Sequence, residues 1–350
     1  MSTVHVLVPA GVEDPSRPSG GNAYDLRLVD GLAERGWQVR RHDVPGAWPS
    51  PSADDRAALG DVLAGLPDRS VVLVDGLVGS AAGEELTAAG GRLEIVLLVH
   101  LPLGVGAPVD GAASERRAVA AARRVVVPSR WAAQWLVDHA GADPGRVVLA
   151  PPGADPARLA PAGDGSRLLT VGAVTRVKGQ DRVLAGLAGL ADLPWTWTCV
   201  GSAEVEPSFA EGLWLELRSR GLDGRVRCAG ALRPDAVGEA YLEADLVVLG
   251  SRVETYGMVV TEALAHGIPV LAPAVGGIEE ALGRTPEGEL PGILVDGDPA
   301  SMGAALRSWL TDAARRDRLR EAAARRRDAL QSWHCATEAV ELALRAAGSR

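Results

Sequence analysis

The sequence predicts an α/β protein made of two Rossmann-like, doubly wound domains, and three observations carry that prediction. First, short and almost uninterrupted apolar runs recur along the chain: Val71-Val74, Ile95-Val99, Val125-Val127, Val147-Leu149, Leu168-Val171 and Leu246-Leu249. Runs of that length and character are strands of a parallel sheet covered on both faces. Second, amphipathic Ala- and Leu-rich stretches alternate with them and end at glycine or proline. The clearest are Ala23-Glu34 before Gly36, Arg130-His139 before Gly141, and Asp181-Leu190 before Leu193-Pro194. These read as crossover helices. Third, the pattern fills both halves of the 350 residues and breaks near the middle, at Pro151-Pro152-Gly153-Ala154-Asp155-Pro156 and Pro161-Ala162-Gly163-Asp164-Gly165. That stretch marks a linker, so domains at 1–162 and 163–330 are expected, with a helical tail over 331–350.

Composition narrows the function. Apolar residues make up 47% and charged residues 23%, a globular balance that excludes a disordered or fibrous chain. The formal net charge of −9 argues against gripping nucleic-acid phosphates, so no nucleic-acid partner is expected. Met1-Ser2-Thr3 leads straight into Val4-His5-Val6-Leu7-Val8 without a basic leader. The longest apolar stretch, Ile95 to Val105, is broken by His100 and Pro102 and falls short of the ~20 residues that span a bilayer. A cytoplasmic location is therefore expected. Cys199, Cys228 and Cys335 form no CxxC pair, and the first two lie in apolar runs where buried thiols are expected. Of 36 cationic residues only Lys178 is lysine; Asn22 and Phe209 are likewise the sole Asn and Phe. A rare residue that survives such a bias marks a position where its common substitute fails.

Three segments carry chemistry. Gly20-Gly21-Asn22 opens the first crossover helix, and two glycines at a helix start leave N–H groups open to an anion. No GxGxxG follows the first strand, and a plain turn with Asn22 as N-cap explains this segment equally well. Leu168-Val171, Gly172, a loop with Arg176 and Lys178, and a helix from Gly179 make a diphosphate clamp or, on the plainer reading, a loop with two solvated cations. The third is the run from Ala244 through Ser251, Glu254, Tyr256-Gly257-Met258-Val259 and Glu262 to Gly267-Ile268-Pro269-Val270. Here a buried strand, a turn bearing one carboxylate and a helix bearing another offer acceptors for sugar hydroxyls beside N–H groups for phosphate.

That third segment resembles the Glu-x7-Glu signature of retaining glycosyltransferases of family 4, whose architecture is GT-B: two Rossmann-like domains facing across a cleft, with a C-terminal helix crossing back to the N-domain. The resemblance also takes in Gly20-Gly21, His100 at a strand end, Pro152-Gly153-Ala154-Asp155, Lys178-Gly179 and Ala274-Val275-Gly276-Gly277-Ile278-Glu279-Glu280. It implies catalytic positions at His100, Lys178 and Glu254. It implies donor contacts from Gly20, Gly21, Asn22, Arg176, Leu232, Tyr256, Gly257, Met258, Val259 and Glu262. Lys178 would pair with the diphosphate, Glu254 would hold donor-sugar hydroxyls, and Glu262 would hold the ribose hydroxyl pair. Gly257 and Met258 would bind phosphate through backbone, and His100 would meet the sugar near the reacting carbon. The chain departs from the family pattern at Ala173, where members carry Arg; Arg176 is the nearest replacement.

The implied reaction moves a hexose from a nucleotide-diphosphate sugar to a soluble small-molecule or glycan acceptor, with retention and without a cofactor or required metal. Asp296-Gly297-Asp298 has the DxD form that holds metals elsewhere, but Asp298 before Pro299 reads as a helix cap. The Arg-rich stretch Ala314 to Arg327, interleaved with acids, reads as a solvated helix face. Competing classes are a phosphorylase or nucleotide-sugar hydrolase, a nucleotide-sugar-binding module, and a membrane-surface glycolipid transferase using Arg116, Arg117, Arg123 and Arg124. The acidic balance disfavours the last. Nothing in 43–57 or 101–111 announces an acceptor.

Overall fold

A computed structural model of the chain describes residues 2–14, 19–105 and 109–349. Residues 15–18, ahead of the Gly20-Gly21 pair, and residues 106–108, within the 101–111 loop, lie outside the described residues. The chain divides into two compact units, one of residues 2–14, 20–153 and 331–349, the other with 154–330 as its body. The break therefore falls after Gly153 and not after Ala162. Backbone and side-chain bonds tie the intervening stretch into the second unit: Ala160 N donates to His266 O at 2.9 Å and Arg327 donates to Ala157 O at 2.7 Å.

The first unit opens with β1 (Thr3–Pro9), α1 (Gly20–Glu34), β2 (Gln38–Val44), α2 (Ala53–Gly65), β3 (Val71–Asp75), the single turn α3 (Gly76–Gly79) and α4 (Gly83–Ala89). It continues through β4 (Glu94–Leu98), α5 (Val109–Ala121), β5 (Arg124–Val127), α6 (Arg130–Ala140) and β6 (Val147–Leu149). All neighbouring strands are parallel, in the order β2-β1-β3-β4-β5-β6. Period-two alternation sends Leu7, Val72, Val74, Ile95, Leu97 and Val125 to one core, and Val6, Val8, Leu73, Val96, Leu98 and Val126 to the other. The helices begin and end as the sequence dictates. Ser52 and Asp55 form a capping box on α2, Ser129 caps α6, and Gly141 at φ 70° closes it. One start differs: α1 begins at Gly20, so Asn22 lies inside its first turn and is not the N-cap.

The second unit follows with β7 (Arg167–Val171), α7 (Gln180–Ala188), β8 (Thr196–Val200), α8 (Pro207–Ser219), β9 (Val226–Gly230), α9 (Pro234–Leu242) and β10 (Leu246–Val248). Then come α10 (Met258–Ala265), β11 (Val270–Pro273), α11 (Ile278–Leu282), β12 (Gly292–Val295), α12 (Pro299–Thr311) and α13 (Ala313–Arg327). The parallel order is β12-β11-β10-β7-β8-β9. Asp298 caps α12, accepting from Ala300 N and Ser301 N at 2.9 and 3.0 Å, with Pro299 at the first helical position. Two expectations are corrected. Cys199 is buried, but Cys228 is exposed, because it lies on β9, which closes one edge of the sheet. Helix α13 is not merely a solvated face. Arg320 joins Arg167 on the fully buried Asp245 carboxylate, each at 3.0 Å, while Arg316 and Arg326 donate to the carbonyls of Trp309 and Leu282.

The chain ends in α14 (Trp333–Gly348), which packs in the first unit against α1 and over β3 to β6. Its Val340, Ala343, Leu344 and Ala347 complete the second core there. No helix of the described residues is long and apolar enough to cross a membrane.

Candidate functional site

In parallel doubly wound sheets, loops after the carboxyl ends of the strands carry ligand chemistry. In the second unit two such loops meet, one after β7 and one after β10. Lys178 Nζ donates to Glu254 Oε2 at 2.7 Å, and Ser251 Oγ lies 3.4 Å from the same oxygen. Glu254 Oε1 has no hydrogen-bond partner among the described residues. The two loops are locked by backbone. A Cβ on Gly179 would stand 2.0 Å from Gly250 O, and Gly179 itself sits at φ 68° as the N-cap of α7. A Cβ on Gly276 would stand 1.8 Å from Glu254 O, and Gly277 N donates to that same carbonyl at 2.9 Å. These contacts explain physically why the Lys-Gly and Gly-Gly pairs accompany the two glutamates.

Arg252 ties the same loops from outside. Its guanidinium makes a bidentate pair with Asp181 at 2.8 and 2.6 Å and donates to Arg176 O at 2.6 Å, while its backbone N–H donates to Val177 O. The Arg176 side chain turns elsewhere: its guanidinium lies 5.6 Å over the Phe209 ring and pairs loosely with Glu206. The structure thus brings Lys178 and Glu254 together and leaves Arg176 facing α8. Leu232 is partly buried after β9, lining a cavity of about 580 Å³ with Thr198, Val200 and Glu239.

Helix α10 starts from Gly257, whose φ of 96° makes it the N-cap, so the backbone N–H groups from Met258 onward begin the helix directly after the Glu254 turn. Tyr256 and Val259 pack partly buried on the apolar core beneath; burial pushes the Tyr256 phenol up to about 12. Glu262 accepts the Tyr241 hydroxyl at 2.7 Å through Oε2. Burial holds the Glu262 carboxyl above its ordinary range against the opposing pull of that bond. Tyr241 is itself buried and stacks on His266 at 4.9 Å.

In the first unit, His100 follows β4 and is largely buried. Its Nε2 lies 2.8 Å from Asp25 Oδ1 and 3.4 Å from Asp75 Oδ2. A Cβ on Gly21 would stand 3.2 Å from His100 Cδ2, so the glycine admits the ring against the start of α1. Gly20 is exposed at that start, with Asn22 half-buried beside it. Asp25, Asp75 and His100 could also ligate a cation, their ligating atoms all lying within 4.8 Å of one another.

Two family models match the chain: "Glycosyl transferases group 1" over residues 154–326 and "Glycosyltransferase Family 4" over residues 80–158. The chain belongs to the family 4 type of glycosyltransferase. Among curated relatives of this glycosyltransferase, the D-inositol 3-phosphate glycosyltransferase of Kineococcus radiotolerans is 34% identical over 67% of this chain and 59% of the relative. The D-inositol 3-phosphate glycosyltransferase 1 of Catenulispora acidiphila is 33% identical over 71% and 64%. The chain thus spans under two thirds of either relative's length. Among solved structures, a sucrose-phosphate synthase from Thermosynechococcus elongatus shares the fold with a TM-score of 0.81 at 19% identity, covering 99% of this chain and 98% of that one. Anabaena HepE, solved with UDP and glucose, gives 0.78 at 17% identity over 99% and 100%.

Sequence reading of this glycosyltransferase missed Asp25, Asp75, Tyr241 and Arg252. Asp75 left a usable signal, since it ends the Val71-Val74 run and so stands at the carboxyl end of a strand. Asp25 and Tyr241 left none: each reads as an ordinary helix residue until the fold sets it beside a partner 75 or 21 positions away.

Proposed function

We propose that the protein transfers a hexose from a nucleotide-diphosphate sugar to a hydroxyl of a soluble acceptor, with retention at the anomeric carbon and without a required metal. The observation that carries this reading is the Lys178–Glu254 pair, a cation and a carboxylate 2.7 Å apart at the start of two helices. A departing diphosphate gains negative charge. Lys178 and the N–H groups that begin α10 offer positive charge for it in a fixed place, which stabilises the transition state more than the ground state. Glu254, with one oxygen uncommitted, accepts sugar hydroxyls, and Glu262 accepts the ribose pair. Neither carboxylate is needed as a nucleophile on a front-face route. There the C1–phosphate oxygen bond breaks, the acceptor oxygen bonds C1 on the same face, and the acceptor proton passes to the leaving phosphate. The products are the glycosylated acceptor and a nucleoside diphosphate.

The names of the curated relatives favour a phosphorylated polyol over a membrane lipid as acceptor. Assays should therefore begin with D-inositol 3-phosphate against UDP-, GDP-, ADP- and TDP-sugars, with thermal shifts against the free diphosphates to identify the base. Transfer at full rate in excess EDTA is expected, and a strict requirement for Mn²⁺ or Mg²⁺ would overturn the metal-free part. Lys178→Ala and Glu254→Ala are each expected to lose transfer by at least about a hundredfold while melting as the wild type does. Wild-type turnover in both would sink the reading.

A further inference from the structure

The second unit sets side by side two thiols that donor binding through Lys178, Glu254 and Glu262 leaves unused. Cys199 on β8 and Cys228 on β9 are direct partners in the strand register. Register partners on neighbouring strands point to the same face of a sheet. Their neighbours fix which face it is. Trp197, Cys199 and Val226 pack on the core covered by α7, α8 and α12, whereas Thr198, Val200, Arg227 and Ala229 line the cavity on the opposite face. The two thiols differ in access. Cys199 is 3% exposed, while Cys228 is exposed because β9 is the last strand of the sheet and has a neighbour on one side only. The third cysteine, Cys335, lies on α14 of the first unit.

Strand geometry decides what such a pair can do. Neighbouring strands lie about 4.8 Å apart, and disulfides bridge Cα atoms roughly 4.4 to 6.8 Å apart. The pair is therefore within bridging reach while both strands stay in place. Two parallel strands keep their Cβ atoms at nearly the same spacing, a little beyond the roughly 3.5 to 4.5 Å that a relaxed disulfide prefers. The edge strand can close that difference: it is held on one side only, and its register slips directly after Cys199, where Val200 pairs with Gly230. A bond closed in this way carries strain and is readily reduced.

We propose that Cys199 and Cys228 form a reversible modification site, closing to a disulfide across β8 and β9 by exchange with a low-molecular-weight disulfide. The exposed Cys228 thiolate attacks one sulfur of the reagent, whose other sulfur leaves as a thiolate and takes a proton from water. The buried Cys199, beyond the reach of the reagent, then attacks the Cys228 sulfur and releases the second reagent thiol. Two protein thiols lose two electrons and two protons, and one reagent disulfide becomes two thiols. Burial raises the Cys228 thiol above its ordinary value; burial and then the Cys228 charge raise Cys199 further. Both are thus protonated at neutral pH, and exchange quickens by about tenfold per pH unit as the thiolate fraction grows. The bond fastens the free edge of the sheet just ahead of Leu232, which lines the cavity. No sugar substrate takes part, so the site is independent of the transferase reading.

The test treats the full-length protein carrying Cys335→Ser with 2-hydroxyethyl disulfide under native conditions at pH 7 and pH 8, followed by tryptic mapping in the mass spectrometer. Arg218, Arg220, Arg225 and Arg227 lie between the two cysteines, so a link joins two separate peptides. Expected are a Cys199–Cys228 peptide, formation about tenfold faster at pH 8 than at pH 7, and return of both thiols on adding dithiothreitol. Adding Cys199→Ser should halt the reaction at a mixed disulfide on Cys228. Hydrogen exchange should show the β9 amides at least about tenfold better protected in the oxidised form. A pair that stays unreacted at pH 8, or stops at the mixed disulfide with Cys199 still free, overturns the proposal. So does a link that forms only after urea has unfolded the chain. Unchanged protection of β9 in the linked protein overturns the fastening of the edge.

Discussion

Lys178 shows how much a single residue can depend on its shape. Its ammonium reaches Glu254 Oε2 from a loop whose backbone is pinned at Gly179 against Gly250. An arginine there would bring a planar fork where a point charge fits. Lys178→Arg is expected to cut kcat/KM roughly ten- to a hundredfold, the ~1.5–3 kcal/mol of one charge-assisted hydrogen bond, while leaving thermal stability unchanged. Tyr241→Phe tests the second carboxylate. On the proposed reading, in which Glu262 would hold the ribose equally in ground and transition states, removing the 2.7 Å bond to Glu262 should raise donor KM by about tenfold and leave kcat nearly intact. Legibility at this scale was uneven for a physical reason. Lys178 and Glu254 are visible in the sequence because glycines that must yield to neighbouring backbone surround them. Asp25, Asp75 and Tyr241 acquire meaning only from which elements lie side by side, and spacing along the chain does not carry that. Arg176 was legible as a loop cation, but its direction was decided by Phe209 on α8 and by Glu206 just before that helix.

Among the elements, strands were the easiest to read, since central parallel strands are apolar on both faces. β10 is Leu-Val-Val, buried throughout, and could hardly be anything else. Helix α13 was harder. Its sequence is Arg-rich and interleaved with acids, which reads as solvated, yet its arginines reach carbonyls and the buried Asp245 through long apolar stems. The junction of β7 and α7 carries the plainest test. Gly179→Ala places a methyl 2.0 Å from Gly250 O at φ 68°, so a loss of several kcal/mol is expected from clash plus strain, seen as a lower Tm. For α14, Glu341 binds Arg35, Arg345 and the Trp37 indole N–H. Burial opposes this, but the bonds pull its carboxyl down to about 2. A depressed carboxyl contributes stability above its unfolded value of 4.5 and loses it as pH falls towards 2. Acid unfolding of Glu341→Gln should therefore show a shallower pH dependence across that window.

At the scale of the whole molecule, the first unit is discontinuous in sequence while the body of the second is continuous. The tail was readable as a helix from composition, and its destination was implied by family resemblance and not by its own residues. Removing it exposes one face of a core: Val340 and Leu344, at ~1.5–3 kcal/mol each, with three alanines and Trp333 beside them. That sum is comparable to the ~5–15 kcal/mol that holds an ordinary domain folded. A chain ending at Leu330 is thus expected to lose the cooperative melting of the first unit while the second keeps its own transition, which calorimetry would resolve as one lost peak.

The packing of α14 also sets a timetable. Domains tend to fold as their residues leave the ribosome, amino-terminal parts first. Here the half that is translated first must wait for the last helix before Tyr24 and Leu344 share a closed interior. Residues 154–330 are complete before that helix exists, so the half made second is the half finished first.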